Sequence, residues 1–448
     1  MTNALTELFA RAAAVLSGAA RLSESGDDVR GLIGALDYGD DAAAAPQQAA
    51  LLAAAAKLKR VFELRAPDAP GLVFCGGEAD PAIIGWTDTG DALASLSGTG
   101  LTRRQAFESC VGEGVEYLSQ FDLWHDALEH GTVARRTVML DGKSRSFLAA
   151  LAEHVQVRPE QELAFVAARR LSDGASVHLP ADMCLRRARA VRNFVPPFKL
   201  GTGCAAGVSF AGAALHGLLE LVERDAVSLW WRGGYRGRAI ALEGPAGREA
   251  ADLIGRLRMG EAGRVSWLLD ITTDVGVPCV AALSCRPDGF GFACGHAARA
   301  SMAAAARAAI CEMCQMELGQ ALVEAKRRER GEGALNEGDL RHVQRATQID
   351  ARQCALLHPV GIPSSARALD GEEREPALLL RTIVDRLARM EIETFAFDLS
   401  RAQFAIPVVR IVAPGLQLEP SAIATERLTG AIAATGGGQA HSGDVTLL

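Results

Sequence analysis

The chain has no Gly-x-x-x-x-Gly-Lys-Ser/Thr run anywhere in its 448 residues, so a nucleotide bound here has its phosphates held by something other than a P-loop. It also lacks basic stretches of useful length, and a net charge of −7 argues against a nucleic-acid partner. Long apolar runs are missing as well. The Ala-rich stretches Ala42–Ala45 and Ala53–Ala56 are broken by Pro46, two glutamines and Lys57, which excludes a bilayer span there. Met1 is followed by Thr-Asn-Ala-Leu-Thr-Glu, without the charged start or cleavage site of a secretion signal, and a cytoplasmic location is expected. Ten cysteines in so long a chain make no disulfide framework, and most are expected to be small buried thiols. Cys311 and Cys314 form a single Cys-x-x-Cys with no second pair at zinc-finger spacing, and read as helix packing. The nine histidines show no metal-ligand spacing.

What the chain does have is acid on helices, repeated. Gly98-Thr99-Gly100 leads to Ser109, Glu113 and Glu116; Gly201-Thr202-Gly203 leads to His216, Glu220 and Glu223; Gly295-His296 leads to Glu312 and Gln315. In the first two copies the side chains fall at i, i+4 and i+7, on one helical face. The interval from Gly203 to Glu220 equals that from Gly295 to Glu312, with Gln315 where Glu223 would be. Any one Glu-x-x-Glu pair is most simply a solvated helix face. Acids recurring among apolar neighbours such as Leu218, Leu219, Leu221 and Val222 repel one another and resist burial unless a cation sits among them. The repeats therefore predict a site for a hard divalent metal with a polyanion, Mg2+ with a nucleotide fitting best.

The rest of the chain sorts by periodicity. Residues 1–65 read as an Ala/Leu-rich helical extension, Leu5-x-x-Leu-Phe and then Leu32–Leu36, and residues 66–448 as the main domain. Two short strands are expected about Pro67-Asp-Ala-Pro70, and a glutamate helix over 101–119. Glu162-Leu-Ala-Phe-Val-Ala-Ala is open between helix and strand, and Lys326–Gly333 reads as a solvated helix end. A second echo pairs Trp267-Leu-Leu-Asp270…Pro278-Cys-Val with Phe395-Ala-Phe-Asp398…Pro407-Val-Val, each read as strand, turn, proline, strand. Such runs alternating with helices imply an α/β (mixed α+β) class with covered sheets and internal pseudo-repeats.

The ordered set Ser97-Gly-Thr-Gly…Ser109…Glu113…Glu116-Tyr117, Gly201-Thr-Gly-Cys-Ala-Ala-Gly207, Glu220…Glu223-Arg224-Asp225 and Arg307…Glu312…Gln315 resembles the YcaO family, from about Pro70 onward. The resemblance implies a YcaO-like fold that binds ATP and Mg2+ through these glutamates and activates a peptide backbone amide by phosphorylating its oxygen. It implies Glu113, Glu116, Glu220, Glu223 and Glu312 on metal. It places Ser109, Thr202, His216, Arg224 and Gln315 among the nucleotide-site residues, and leaves catalytic residues unassigned.

Two departures stand out: Thr99 replaces a lysine common in relatives, and Gly201-Thr202 replaces their Ser-Asn. Azoline-forming members end in Pro-x-Pro-x-Pro, whereas this chain ends Ser442-Gly-Asp-Val-Thr-Leu-Leu448, which keeps the product open. The leading expectation is an ATP-dependent cyclodehydratase turning Cys, Ser or Thr of a ribosomally made precursor peptide into azolines. Backbone thioamidation with a sulfur-delivering partner is the alternative, and a non-catalytic ATP-binding scaffold is the reading from another class. The extension is too short to capture a leader peptide alone, so a leader-binding E1-like partner is expected. A flavin-dependent azoline dehydrogenase and homodimerisation stay open.

Overall fold

The computed structural model describes residues 31–37, 45–88, 93–123, 128–132, 139–241, 243–260, 263–364, 369, 375–443 and 445–447. The expected helix near Leu5 lies outside them; residues 31–36 are helical and bury Leu32 and Leu36. In chain order the elements are α1 (Ala45–Ala55), β1 (Arg60–Leu64), β2 (Val73–Ala79), β3 (Ala94–Gly100), α2 (Arg103–Ser119), β4 (Glu129–Thr132), α3 (Gly142–His154), β5 (Glu162–Arg170), β6 (Ser176–Pro180) and β7 (Cys204–Ala206). There follow α4 (Phe210–Trp231), β8 (Arg238–Ala239), α5 (Pro245–Arg258), β9 (Val265–Asp270), β10 (Cys279–Cys285), β11 (Ala293–Ala298), α6 (Met302–Arg330), α7 (Glu337–Gln348), α8 (Pro376–Arg389), β12 (Phe395–Asp398), β13 (Val408–Val412) and α9 (Glu426–Thr435). Two compact units are made from them, and neither is one continuous run of chain. The first holds 1–64, 73–218 and 391–414; the second holds 65–72, 219–390 and 415–448. Among the described residues no helix is long and apolar enough to cross a membrane.

In the first unit β1, β2 and β3 form an antiparallel sheet in that order, and α2 packs on β2 and β3. The helix buries Ala106, Phe107, Cys110, Val111, Val115 and Leu118 completely, the stripe its spacing calls for. Gly98 lets β3 lie against it, since a Cβ there would stand 2.2 Å from the Ala106 carbonyl oxygen. A six-stranded antiparallel sheet runs β4-β5-β12-β13-β7, with β6 beside β5. The stretch from Glu162 is therefore a strand, buried at Leu163 through Val166.

In the second unit the sheet order is β11-β10-β9-β8, all antiparallel, with α6 packed on β10 and β11. β10 is buried along its whole length, so it reads as a continuous apolar run instead of an alternating one. Gly295 of β11 faces α6, where a Cβ would be 2.2 Å from the Met313 amide nitrogen. α6 ends at Gly331, in positive φ, after Arg327, Arg328 and Arg330 in its last turn, where cations suit the helix dipole.

The two proline hairpins are alike to the hydrogen bond. Asp270 Oδ1 accepts from the Thr272 amide at 3.0 Å, and the Thr272 hydroxyl accepts from the Cys279 amide at 3.0 Å. Asp398 Oδ1 accepts from the Ser400 amide at 2.9 Å, and the Ser400 hydroxyl accepts from the Val408 amide at 3.1 Å. An aspartate followed two residues later by a hydroxyl builds the turn, and the proline ahead of the return strand has no amide to pair.

Candidate functional site

In the first unit α2 starts behind Thr102, whose hydroxyl accepts from the Gln105 amide at 3.2 Å. Glu113 and Glu116 then share one face, both half-buried. Glu113 Oε2 accepts from the Ser97 amide at 2.6 Å. Glu116 Oε1 accepts from the Ala206 amide at 2.7 Å, tying α2 to β7 just past the Gly201-Thr202-Gly203 turn. Cys204 is a buried thiol whose Sγ lies 3.9 Å from the Glu116 carbonyl oxygen. Thr202 is buried, while Ser109 and His216 are exposed.

In the second unit α6 starts behind Ser301, and Glu312 Oε2 accepts from the His296 amide at 2.6 Å. Donor and acceptor are sixteen residues apart, as in the Ser97–Glu113 bond. The first and third copies are thus one strand, cap and helix arrangement used twice, with Gln315 in the place of Glu116. Glycine spacing pairs the second copy with the third; the hydrogen bonds pair the first with the third.

Around Glu312 the second unit gathers charge. Glu223 is buried, with Oε1 3.2 Å from Arg224, and Glu220 Oε1 is 3.2 Å from the same guanidinium. Burial pushes Glu223 up to about 8, with Arg224 pulling down and Glu312 pushing up. Burial raises Glu312 as well, against the pull of Arg224, the His296 amide and Arg299. Burial works against the charge of Arg224, and Glu223, Glu220 and Glu312 more than offset it. His296 is buried beside Trp230, ring centroids 5.9 Å apart, with neither ring nitrogen hydrogen-bonded. Burial, helped by Arg224 and Arg345, lowers it to about 3, so it is a neutral imidazole near neutral pH.

The structure therefore brings Glu220, Glu223, Arg224 and Glu312 together in one unit, with Gln315 half-buried one turn beyond Glu312. It places Glu113, Glu116, Ser109, Thr202 and His216 in the other. Arg299 is an addition that the sequence did not single out, and the sequence marked His296 only as part of a turn, where the structure puts it within β11. Arg299 lies between the end of β11 and the Ser301 cap, where no periodicity marks a side chain.

Among the described residues no three His, Cys, Asp or Glu side chains gather closely enough to hold an ion alone. Mg2+ asks for less, because one or two carboxylates, water and nucleotide phosphates complete its shell. The residues fit that demand: carboxylate oxygens are hard donors, and burial leaves Glu223 and Glu312 short of positive charge.

A protein from Rhizobium leguminosarum bv. trifolii, described as an uncharacterized protein in the tfuA 3' region, is 26% identical over 76% of this chain and 81% of its own length. A heterocyclase solved in complex with substrate and cofactor superposes with a TM-score of 0.64 at 20% identity, covering 84% of this chain and 52% of that one. This chain thus spans about half the length of that heterocyclase. YcaO from Methanopyrus kandleri, bound with AMPPCP and Mg2+, superposes with a TM-score of 0.52 at 19% identity over 80% of this chain and 86% of that one. The model of the family described as YcaO cyclodehydratase, ATP- and Mg2+-binding, matches residues 97–417, and on that match the chain belongs to the YcaO family.

Proposed function

We propose that the protein binds ATP with Mg2+ and activates backbone amides of a ribosomally made precursor peptide, cyclising Cys, Ser or Thr to azolines. The observation that carries this reading is the group of buried Glu223 with half-buried Glu220, Arg224 and Glu312, acids gathered about one guanidinium. Bound Mg2+-ATP would supply the phosphoryl group and neutralise the charge that develops on it.

In this reading Glu220, Glu223 and Glu312 are metal ligands within the second unit, where Arg224 and Gln315 approach phosphate or ribose. Within the first unit Glu113 and Glu116 are metal ligands, and Ser109, Thr202 and His216 are nucleotide-site residues. The amide-bound Glu113, Glu116 and Glu312 are oriented by backbone donors, so their carboxylates need no reorganisation when charge arrives. A neutral His296 keeps positive charge at Arg224 and Arg299. The side-chain thiol or hydroxyl would attack the amide carbon and give up its proton, and the amide oxygen would take the γ-phosphoryl group as the bond to the β-phosphate breaks; the oxygen would then leave as phosphate while the nitrogen loses its proton and the C=N bond forms. The peptide loses one water per ring, and ATP becomes ADP.

A leader-binding E1-like partner presents the peptide in this reading, and a flavin-dependent dehydrogenase would act later. The support for a peptide substrate is family membership. The test is intact mass of the precursor with ATP, Mg2+ and partner, for wild type, Glu113→Ala and Glu223→Ala. Water losses present in wild type and reduced about 10²- to 10³-fold in rate in both variants are expected. Oxygen-for-sulfur exchange would move the product to a thioamide, and an unchanged peptide with ATP still bound would favour a scaffold.

A further inference from the structure

Glu312 and Glu317 lie on nearly opposite sides of α6, about 140° apart for five residues at the α-helical turn. Glu317 is buried to 1% of its side-chain surface and carries an ionic clamp. Arg258, the last residue of α5, donates to Oε2 at 2.5 Å and to Oε1 at 2.7 Å. The Ser284 hydroxyl of β10 donates to Oε1 at 2.5 Å, and Arg264 Nε stands 3.0 Å from the same oxygen. Both arginines are themselves buried, at 8% and 6% exposure, and are pinned elsewhere: Arg258 donates to the Asp68 carbonyl and the Ser266 hydroxyl, Arg264 to the Gly291 carbonyl.

The faces of α6 differ in what holds them. The buried residues of the helix include Ala305, Ala306 and Ala309, small side chains that allow close approach, and continue with Ile310, Met313, Cys314 and Leu318. On the Glu317 side a pocket of about 390 Å³ opens against the helix, lined in part by Arg264, Glu317, Gln320, Glu324 and His342, so dense apolar packing does not key the helix there. The Arg258 fork, the Arg264 Nε and a hydroxyl on one carboxylate do, because such charge-assisted bonds are directional and costly to leave unmade inside a protein.

We propose that Glu317 is a positioning residue: with Arg258, Arg264 and Ser284 it sets the rotation and axial register of α6, and thereby the direction in which Glu312 and Gln315 point on the far side. It touches no nucleotide. The inference rests on the nucleotide-site reading of Glu312 given above.

The test is the dissociation constant of Mg2+-AMPPCP for the full chain, by calorimetry well below the melting temperature, for wild type, Glu317→Gln and Ser284→Ala, with thermal melts alongside. A merely structural role lowers the melting temperature and the folded fraction, which calorimetry reads as stoichiometry, and leaves the constant of the folded protein unchanged. The positioning role weakens binding about 10- to 100-fold in Glu317→Gln, the range seen when residues behind metal ligands are lost, and by less in Ser284→Ala. Should Glu317→Gln fail to fold, Ser284→Ala decides. Folded variants that bind as tightly as wild type overturn this inference alone. A wild type that binds no Mg2+-nucleotide overturns the nucleotide reading, and this inference with it.

Discussion

Glu223 is an acid whose folded state prefers the proton. Its value rises from 4.5 to about 8, chiefly through burial, so between those limits the native chain holds a proton that the unfolded chain releases. Stability then falls as pH rises across that interval. His296 and His342 act in the opposite sense: burial lowers them from 6.5 to about 3 and about 4, so their contribution is complete above 6.5 and is lost as pH falls below it. Between pH 6.5 and 8 the histidine contribution is complete, and the slope left belongs to Glu223 together with the other acids that burial raises, Glu312 among them. Denaturant melts over that range should show stability declining with pH, less steeply with Mg2+ present and less steeply in Glu223→Gln. The identity of Glu223 as a site residue was legible in the sequence, from its spacing behind the glycine turn. Its protonation was not, because that depends on which charges from α6 and the β11–α6 connection arrive beside it.

At the scale of elements, the approach of α6 to β11 turns on one missing side chain. Gly295→Ala would put a Cβ 2.2 Å from the Met313 nitrogen and 2.3 Å from the Ala309 carbonyl, both backbone atoms that cannot swing away. A loss of about 1–3 kcal/mol in chemical denaturation is expected, with the helix displaced. The hairpins carry a second prediction. Thr272→Val keeps the volume but strips the acceptor from the buried Cys279 amide, and should cost about 1–3 kcal/mol by the same measurement. Both hairpins were readable as strand, turn, proline, strand, because an aspartate, a hydroxyl and a proline act within a few residues of one another. The helix-or-strand ambiguity of Glu162–Arg170 was settled only by β6, β4 and β12 pairing with it, contacts that a short apolar run does not encode locally.

For the molecule as a whole, a ligand that binds the folded chain stabilises it by mass action. Mg2+-AMPPCP at a hundredfold excess over its dissociation constant should add about 2.7 kcal/mol, and EDTA should remove most of that gain. Melting curves with the nucleotide alone, the metal alone and both together check it, and equal curves would count against a Mg2+-nucleotide site. The sequence alone determined the family, the three glutamate helices, the two proline hairpins and the residues worth testing, because each is a local pattern whose spacing survives without coordinates. Tertiary structure alone decided that the first and third copies share one strand, cap and helix plan, since the matching hydrogen bonds join a strand to a helix. It alone decided that β12 and β13, late in the chain, complete the sheet of the first unit between β5 and β7. It also revealed the clamp on Glu317, because Arg258 at the end of α5, Arg264 ahead of β9 and Ser284 in β10 meet only when the chain has folded.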